Sequence, residues 1–229
     1  MEHIVIGIEG LVGSGKTSIC RELNHILPNS VILHGGNLYR GIVYAFMKQN
    51  NHKSINLLKD MDVITLMKKL NIEIKLENNE SVVYVDNIKI DENQLQNEKT
   101  SMAVSIAGNI ANNTNLFIFA RNLINELKQK YNVILSGRAL MEIYPDLDYH
   151  FLITASLEER VKRKAMQYDN KVDLSELREH IIKRDELQEK SGFYKIYSKT
   201  IKVDITDCKT VKESTNKICE FIEEMKILY

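Results

Sequence analysis

Residues 4–17 read IVIGIEGLVGSGKT, and this stretch decides the fold. The first five residues form a short, mostly β-branched apolar run that is typical of a buried strand. The motif G-x4-G-K-[ST] follows at Gly10, Gly15, Lys16 and Thr17, and a helical pattern runs on from Lys16 to Leu27. A strand before the motif and a helix after it are the context that it requires. The stretch therefore predicts a loop that binds the phosphates of a nucleoside triphosphate.

Each residue type of this loop suits phosphate binding. Glycines let the backbone wrap closely around phosphate oxygens with its N–H groups pointing inward, and the helix start adds partial positive charge. Lys16 supplies a full charge that can follow a transferred phosphoryl group, and the Thr17 hydroxyl is placed to ligate Mg²⁺. The predicted cofactors are ATP and Mg²⁺, and the predicted nucleotide-binding residues are Gly10, Gly13, Ser14, Gly15, Lys16, Thr17 and Ser18.

Length and composition restrict the partners. With 229 residues, 44% of them hydrophobic, the chain is long enough for one α/β domain with a modest insertion. Its net charge is zero with acids and bases interspersed, so no basic surface for nucleic acid is predicted. No apolar run approaches the ~20 residues of a membrane helix, and residues 1–6 do not resemble a signal peptide. We expect a cytoplasmic monomer whose partners are small-molecule nucleotides, with no nucleic acid and no membrane.

Short apolar strands alternate with amphipathic helices along most of the chain. This alternation predicts a parallel sheet covered by helices on both faces, which is a three-layer α/β/α fold. Residues 72–90 interrupt it, because alternating apolar residues and two turns predict a small three-stranded antiparallel insert, which we expect to form a separate lobe. Amphipathic helices are also predicted over 54–70 and 102–111. The charged helices between 157 and 190 are interpreted as a solvated, mobile lid.

Segments spread over nearly the whole chain share their order and spacing with one family. They are Leu33–Arg40 (LHGGNLYR), the insert at 72–90, Ser136–Arg138 (SGR), Ala155–Lys164 (ASLEERVKRK) and Ile182–Asp185 (IKRD). Together they resemble the bacterial cytidylate kinases, a family of P-loop nucleoside monophosphate kinases. The resemblance implies a single P-loop kinase domain over 1–229, with an acceptor-binding region at 37–130 and a helical lid at 165–195.

The resemblance also implies roles for several arginines, whose planar, permanently charged groups match phosphate oxygens. Arg40 and Arg138 would hold the acceptor phosphate, and Arg184 would reach in from the lid. Arg163, with Arg160 as a further candidate, would neutralise charge on the transferring group. The predicted catalytic residues are thus Lys16, Arg138 and Arg163, and the predicted substrate-binding residues are Arg40, Arg138 and Arg184.

Departures from the family pattern fall in the acceptor half. Three acids of the family are replaced by His34, Ser136 and Ala139. The serine and arginine that read the base in the family are replaced by Gly108 and Phe117, and an aspartate and an arginine of its lid are replaced by Gln188 and Ser191. A site that hydrogen-bonds a base can discriminate by ~10⁴-fold or more, and it loses this power without those donors and acceptors. The family implies CMP or dCMP as the acceptor, whereas these departures argue against CMP.

Three functions remain open on the sequence. The leading one is transfer of the γ-phosphate of ATP to a nucleoside monophosphate, and the others are a kinase for a nucleoside or other small hydroxyl compound and a non-catalytic nucleotide-binding regulator. Arg40 and Arg138 side by side would favour the first. Glu9, beside the loop, has two interpretations: a carboxylate that acts on the metal or on an acceptor hydroxyl, or one that is hydrogen-bonded to loop backbone.

Overall fold

A computed structural model describes residues 3–49, 62–96, 100, 103, 114–169 and 171–222. The strands are β1 (Val5–Gly10), β2 (Ser30–His34), β3 (Ile72–Glu77), β4 (Glu80–Val85), β5 (Ile88–Lys89), β6 (Asn132–Ser136), β7 (Tyr149–Thr154) and β8 (Thr200–Asp204). The helices are α1 (Lys16–Ile26), α2 (Gly35–Gln49), α3 (Val63–Lys69), α4 (Glu92–Gln96), α5 (Thr114–Lys128), α6 (Leu140–Ile143), α7 (Leu157–Met166), α8 (Leu174–Lys190) and α9 (Val211–Cys219). Apart from residue 103, the helix predicted over 102–111 lies outside the described residues, and so do residues 54–61 of the helix predicted over 54–70.

One sheet runs through the molecule in the order β3-β4-β2-β6-β1-β7-β8, with β5 on β4. Five neighbouring strands of this sheet are mutually parallel, namely β2, β6, β1, β7 and β8. In register, Ser136 pairs with Ile8 on one side and with His34 on the other. The carboxyl ends of the central strands therefore meet at one edge, where ligands bind in open α/β sheets.

Both faces of the sheet are covered by helices, as the alternation of strands and helices predicts. Strand β1 is buried along its whole length, and its neighbouring side chains face opposite layers. Ile6 and Ile8 pack in a cluster with α1 and α9, whereas Val5 packs with α5 and α6. This arrangement confirms the three-layer α/β/α fold and explains why the strand has no polar face.

The predicted insert at 72–90 is present, with β3 and β5 both antiparallel to β4. Its two turns fall at Asn78–Asn79 and Asp86–Asn87, and all four residues have positive φ angles between 50° and 63°. Two consecutive left-handed residues are what a two-residue hairpin turn requires, and Asn and Asp tolerate that conformation best after Gly.

The expectation that this insert forms a separate lobe is wrong. At its beginning β4 lies beside β2, where Glu80 pairs in parallel register with Ile32. The Ile32 N–H donates to the Asn79 carbonyl at 2.7 Å, and the His34 N–H donates to Ser81 Oγ at 2.8 Å. The insert therefore extends the main sheet beyond β2 and reaches the edge where the strands end.

In the part of the chain that the structure describes, no helix is long and apolar enough to cross a membrane.

Candidate active site

The loop between β1 and α1 is held against its neighbours by close backbone packing. Gly13 and Gly15 adopt left-handed φ angles of 78° and 89°. A Cβ on Gly10 would lie 2.5 Å from the Ile153 carbonyl oxygen, and one on Gly13 would lie 3.0 Å from the Arg160 carbonyl oxygen. Glycine suits Gly13 and Gly15 because the backbone turns there into a left-handed conformation, and it is needed at Gly10 and Gly13 because the loop lies directly on β7 and α7.

Lys16 opens helix α1 and folds back over the loop. Its Nζ donates to the carbonyl oxygens of Gly10 at 2.8 Å and Leu11 at 3.3 Å. Burial, together with the nearby Arg138, Arg40 and Arg184, lowers the pKa of Lys16 well below its ordinary value. The ammonium group is thus held by weak carbonyl partners among other cations, an arrangement that an incoming anion would stabilise.

A cavity of about 210 Å³ lies above the loop. It is lined by residues 12–18 and by cations from five parts of the chain, namely Lys16, Arg40, Arg138, Lys164 and Arg184. Glu92 is the only carboxylate among the described residues that line it. A wider cleft of about 910 Å³ adjoins it and shares Thr17, Ser18, Glu92, Lys164 and Gln167. The cation excess suits a ligand that carries several phosphate charges.

Arg40 and Arg184 both line the cavity and each has a buried donor that the described part of the protein leaves without a partner. Arg40 Nη1 donates to Asn37 Oδ1 at 3.1 Å, but the buried Nε atoms of Arg40 and Arg184 have no hydrogen-bond partner among the described residues. Burial and the neighbouring Arg184 and Arg138 lower the pKa of Arg40 to about 10. Burial and Arg138 lower the pKa of Arg184 as well. Since an unpaired buried donor is costly, these groups are prepared for an external acceptor.

Arg138 is positioned by the lid. Its Nε donates to Gln188 Oε1 at 2.9 Å, its Nη1 to the Gly137 carbonyl at 3.0 Å and its Nη2 to the Tyr194 hydroxyl at 3.3 Å. The guanidinium also lies over the Tyr194 ring, 5.2 Å from its centroid. These contacts fix the plane of the group and link its position to the lid helix α8.

Two of the arginines implied by the family resemblance do not line the cavity. Arg160 donates to the Val12 carbonyl at 3.0 Å and pairs with Asp185, whose Oδ1 accepts the Val12 N–H at 3.1 Å. Arg163 donates to the carbonyl of Ile205 at 2.8 Å. Arg160 thus ties the loop to the lid, and Arg163 ties α7 to the segment after β8. The next residue, Lys164, is the one from α7 that reaches the cavity.

Glu9 is buried away from the cavity. Its Oε1 accepts the Leu140 N–H at 2.8 Å and lies 3.2 Å from His150 Nε2. His150 Nδ1 in turn lies 2.9 Å from Thr200 Oγ1. Glu9 is thus bonded to backbone, as one of its two interpretations proposed, but the backbone belongs to the start of α6 and not to the phosphate loop.

His34 does line the cavity, and a carboxylate from the insert supports it. His34 Nε2 lies 3.0 Å from Glu80 Oε2, and Arg21 binds the same carboxylate with Nε at 2.9 Å and Nη2 at 3.1 Å. Arg21 also donates to Glu92 at 2.9 Å. No sequence pattern indicates this role for Glu80 or Glu92, because the contact depends on how β4 pairs with β2.

The geometry suits an enzyme that brings two phosphate groups together over a P-loop, so the fold and the site define a P-loop phosphotransferase. Residues 6–224 match the family model described as cytidylate kinase. The chain therefore belongs to the cytidylate kinase family, and it is a phosphotransferase of the ATP-dependent nucleoside monophosphate kinase type.

Similar proteins cover nearly the full length of the chain. The cytidylate kinase of Clostridioides difficile (strain 630) is 29% identical over 223 residues, which are 95% of this chain and 97% of that protein. The cytidylate kinase of Caldanaerobacter subterraneus subsp. tengcongensis is 28% identical over 227 residues, 96% and 95% of the two chains. A crystal structure of an uncharacterized protein from Eubacterium ventriosum matches with a TM-score of 0.51 and 16% identity over 97% of this chain and 99% of that one. This last similarity supports the fold alone.

Proposed function

We propose that the protein transfers the γ-phosphate of ATP to the phosphate of a nucleoside monophosphate. Arg40 and Arg138 line one cavity together with Lys16, and this observation carries the proposal. A phosphate acceptor brings its own negative charge to the donor phosphates, so it needs converging guanidinium groups that a neutral hydroxyl acceptor does not. The same observation favours a nucleotide acceptor over a nucleoside or another small hydroxyl compound.

In this mechanism the protein contributes position and charge. Lys16 and the amides of the loop would hold the donor phosphates, while Arg40, Arg138 and Arg184 would hold the acceptor phosphate in line with them. The lid at 165–195 already brings Arg184 to the cavity, and it would exclude water while both phosphates are bound. Because the cations already stand together before substrate binds, little reorganisation is needed when charge develops on the transferred group.

Mg²⁺ fits this site through Thr17. Thr17 follows Lys16 at the start of α1 and lines both the cavity and the adjoining cleft, so its hydroxyl is available to an ion that the donor phosphates carry. Mg²⁺ usually keeps several waters and takes only one or two protein ligands. When bound, the ion would neutralise charge on the β- and γ-phosphate oxygens.

The acceptor base is proposed to differ from cytosine. Gly108 lies outside the described residues, but Phe117 on α5 is partly buried against a hydrophobic cluster of the core, and Ser191 Oγ donates to the Leu187 carbonyl at 2.8 Å. Gln188 is engaged by Arg138 at 2.9 Å. Phe117 therefore offers no hydrogen-bonding group to a cytosine edge, the Ser191 hydroxyl donates to the end of its own helix, and the Gln188 Oε1 is already bound by Arg138. The acceptor-binding region at 37–130, with its insert, would select another base.

A panel of nucleoside monophosphates, nucleosides and small hydroxyl compounds, assayed for ADP formation, tests the proposal. We expect a monophosphate other than CMP and dCMP to be the best acceptor, and Lys16→Ala to abolish transfer. We expect Arg40→Ala to raise KM for the acceptor about 10- to 100-fold, because it removes a charged hydrogen bond. A nucleoside as the best acceptor would favour the hydroxyl kinase, and ATP binding without any transfer would favour the regulator. If CMP and dCMP were by far the best, the argument from the base-reading positions would be wrong.

A further inference from the structure

Helix α7 offers two neighbouring cations, Arg163 and Lys164, which face different surroundings. Arg163 is held by protein groups: Nε donates to Glu159 Oε1 at 3.1 Å, and Nη2 donates to the carbonyls of Ile205 at 2.8 Å and Cys208 at 3.1 Å. It is not among the residues that line the cavity. Its buried Nη1 has no hydrogen-bond partner among the described residues, but its other contacts assign it to the attachment of α7 to the segment after β8.

Lys164 lines both the cavity above the loop and the wider cleft beside it. Its Nζ donates to Gln167 Oε1 at 2.8 Å and lies 5.0 Å from the centroid of the Tyr168 ring. Lys164 forms no ion pair with any carboxylate of the described residues. Among the described residues, the Lys164 ammonium therefore contacts a neutral amide and an aromatic face but no carboxylate, although it lies in the same cavity as the loop.

We infer that Lys164, and not Arg163, is the cation that α7 presents to the phosphates, and that phosphate binding consequently weakens in mildly alkaline solution. The inference rests on the proposed function for the identity of the ligand. Lys164, a titratable amine, thereby takes the phosphate-binding role that the family resemblance implied for the permanently charged guanidinium of Arg163.

The surroundings of Lys164 explain the pH dependence. Burial, and the charges of Arg184 on α8 and Arg40 on α2, lower the pKa of Lys164 to about 8. Lys16, His34, Tyr39, Arg138 and the carboxylate of Glu92 face the same cavity. The cleft adds Arg21 from α1, and Lys171, Asp173, Glu176 and His180 from the lid.

The direction of the pH dependence follows from the lowered pKa of Lys164. Below about pH 8 Lys164 carries its charge, and above it the free enzyme loses one phosphate-facing cation. Bound phosphates favour the charged form and raise the pKa again, so the effect belongs to the free enzyme. It should therefore be found in kcat/KM, which reports the groups of the free enzyme, more than in kcat.

The test compares the wild type with Lys164→Arg and Lys164→Gln from pH 7 to pH 9. We expect kcat/KM for ATP to fall about tenfold over this range in the wild type, which is the change in the charged fraction of a group titrating near pH 8. Lys164→Arg should retain activity at pH 7 and lose the alkaline decline. Lys164→Gln should be impaired at both pH values. An alkaline decline that persists in Lys164→Arg would assign the titration to another group, such as Lys16, and overturn the inference.

Calorimetric titration with ATP at pH 7 and pH 9 gives a readout that does not require transfer. If no acceptor were phosphorylated, the proposed function would fail, but a loss of ATP affinity at pH 9 that Lys164→Arg removes would still support the role of Lys164. Equal ATP affinities of the wild type and Lys164→Gln at pH 7 would contradict it. Arg163→Lys is the matched control, and we expect it to keep the alkaline decline.

Discussion

At the scale of single residues, Gly13 and Gly15 share a backbone conformation but differ in their surroundings. Both have left-handed φ angles, yet a Cβ on Gly13 would lie 3.0 Å from the Arg160 carbonyl oxygen, whereas one on Gly15 would have no atom within 4 Å. Alanine at either position must adopt a left-handed backbone conformation, which destabilises the folded state by about 1–2 kcal/mol. Only at Gly13 does it also push the loop away from α7.

We therefore expect Gly13→Ala to lower both the free energy of unfolding and the affinity for ATP more than Gly15→Ala does. Urea denaturation and calorimetric titration of the two variants measure these effects. Gly15→Ala is the matched control, because it keeps the strain and omits the contact. Equal losses in the two variants would show that the Arg160 carbonyl does not restrict the loop.

The loop could be located from the sequence because its motif is local and complete. The structure brings Arg40, Arg138 and Arg184 to one cavity, as the resemblance implied, but it places Lys164 there instead of Arg163. Adjacent helical residues point about 100° apart, so a segment rich in cations does not reveal which one faces the cavity. Only the contacts of α7 with the loop and with the segment after β8 decide this.

At the scale of elements, the insert is joined to α1 and β2 by Glu80. Hydrogen bonding from His34, followed by that from Arg21, lowers the pKa of the Glu80 carboxyl from 4.5 to about 2. Its side chain is 25% exposed, so the interaction is only partly screened by solvent. The folded pKa lies below the unfolded one, so the stabilisation is complete above about pH 4.5 and is lost as the pH falls towards 2.

Glu80→Gln should consequently destabilise the protein at neutral pH and much less in acid. We expect the difference in unfolding free energy between the wild type and Glu80→Gln to shrink by about 2 kcal/mol between pH 7 and pH 3. Urea denaturation curves across this range measure it. Glu73→Gln is the control, since the Glu73 carboxylate forms an exposed pair with Lys75 on β3. A difference independent of pH would mean that Glu80 acts by packing and not by charge.

The strands of the insert were predictable, whereas its attachment was not. Alternating apolar residues and the paired turn residues are local signals, and they place β3, β4 and β5 correctly. The pairing of Ile32 with Glu80 joins residues far apart in the chain, and no local pattern specifies it. The support of His34 by Glu80 depends on this pairing, so it could not be inferred from the sequence either.

At the scale of the whole molecule, a net charge of zero conceals an uneven distribution. Five cations and one described carboxylate line the cavity above the loop. Their mutual repulsion destabilises the folded state until an anion enters, so polyphosphate should bind the folded protein and stabilise it.

We expect inorganic tripolyphosphate at about 100 times its Kd to stabilise the fold by about 2.7 kcal/mol, which raises Tm by roughly 5–10 °C. Thermal unfolding followed by circular dichroism measures the shift. Arg138→Ala should reduce it at equal tripolyphosphate concentration, and so should added salt. The exposed Arg178 is the control position, because it pairs with Glu158 outside the cavity lining. A shift of equal size in Arg138→Ala and Arg178→Ala would place the anion elsewhere.

Because the insert joins the main sheet, it determines which strand lies at the border of the sheet beyond β2. Strand β2 is buried along Ser30–His34, and without β4 its apolar border would lie open to pairing with strands of other molecules. With the insert in place the outermost strand on that side is β3, which exposes Glu73 and Lys75. Charged side chains on an edge discourage such pairing. The insert thereby gives this side of the sheet a border strand that carries charged side chains, whichever acceptor the site binds.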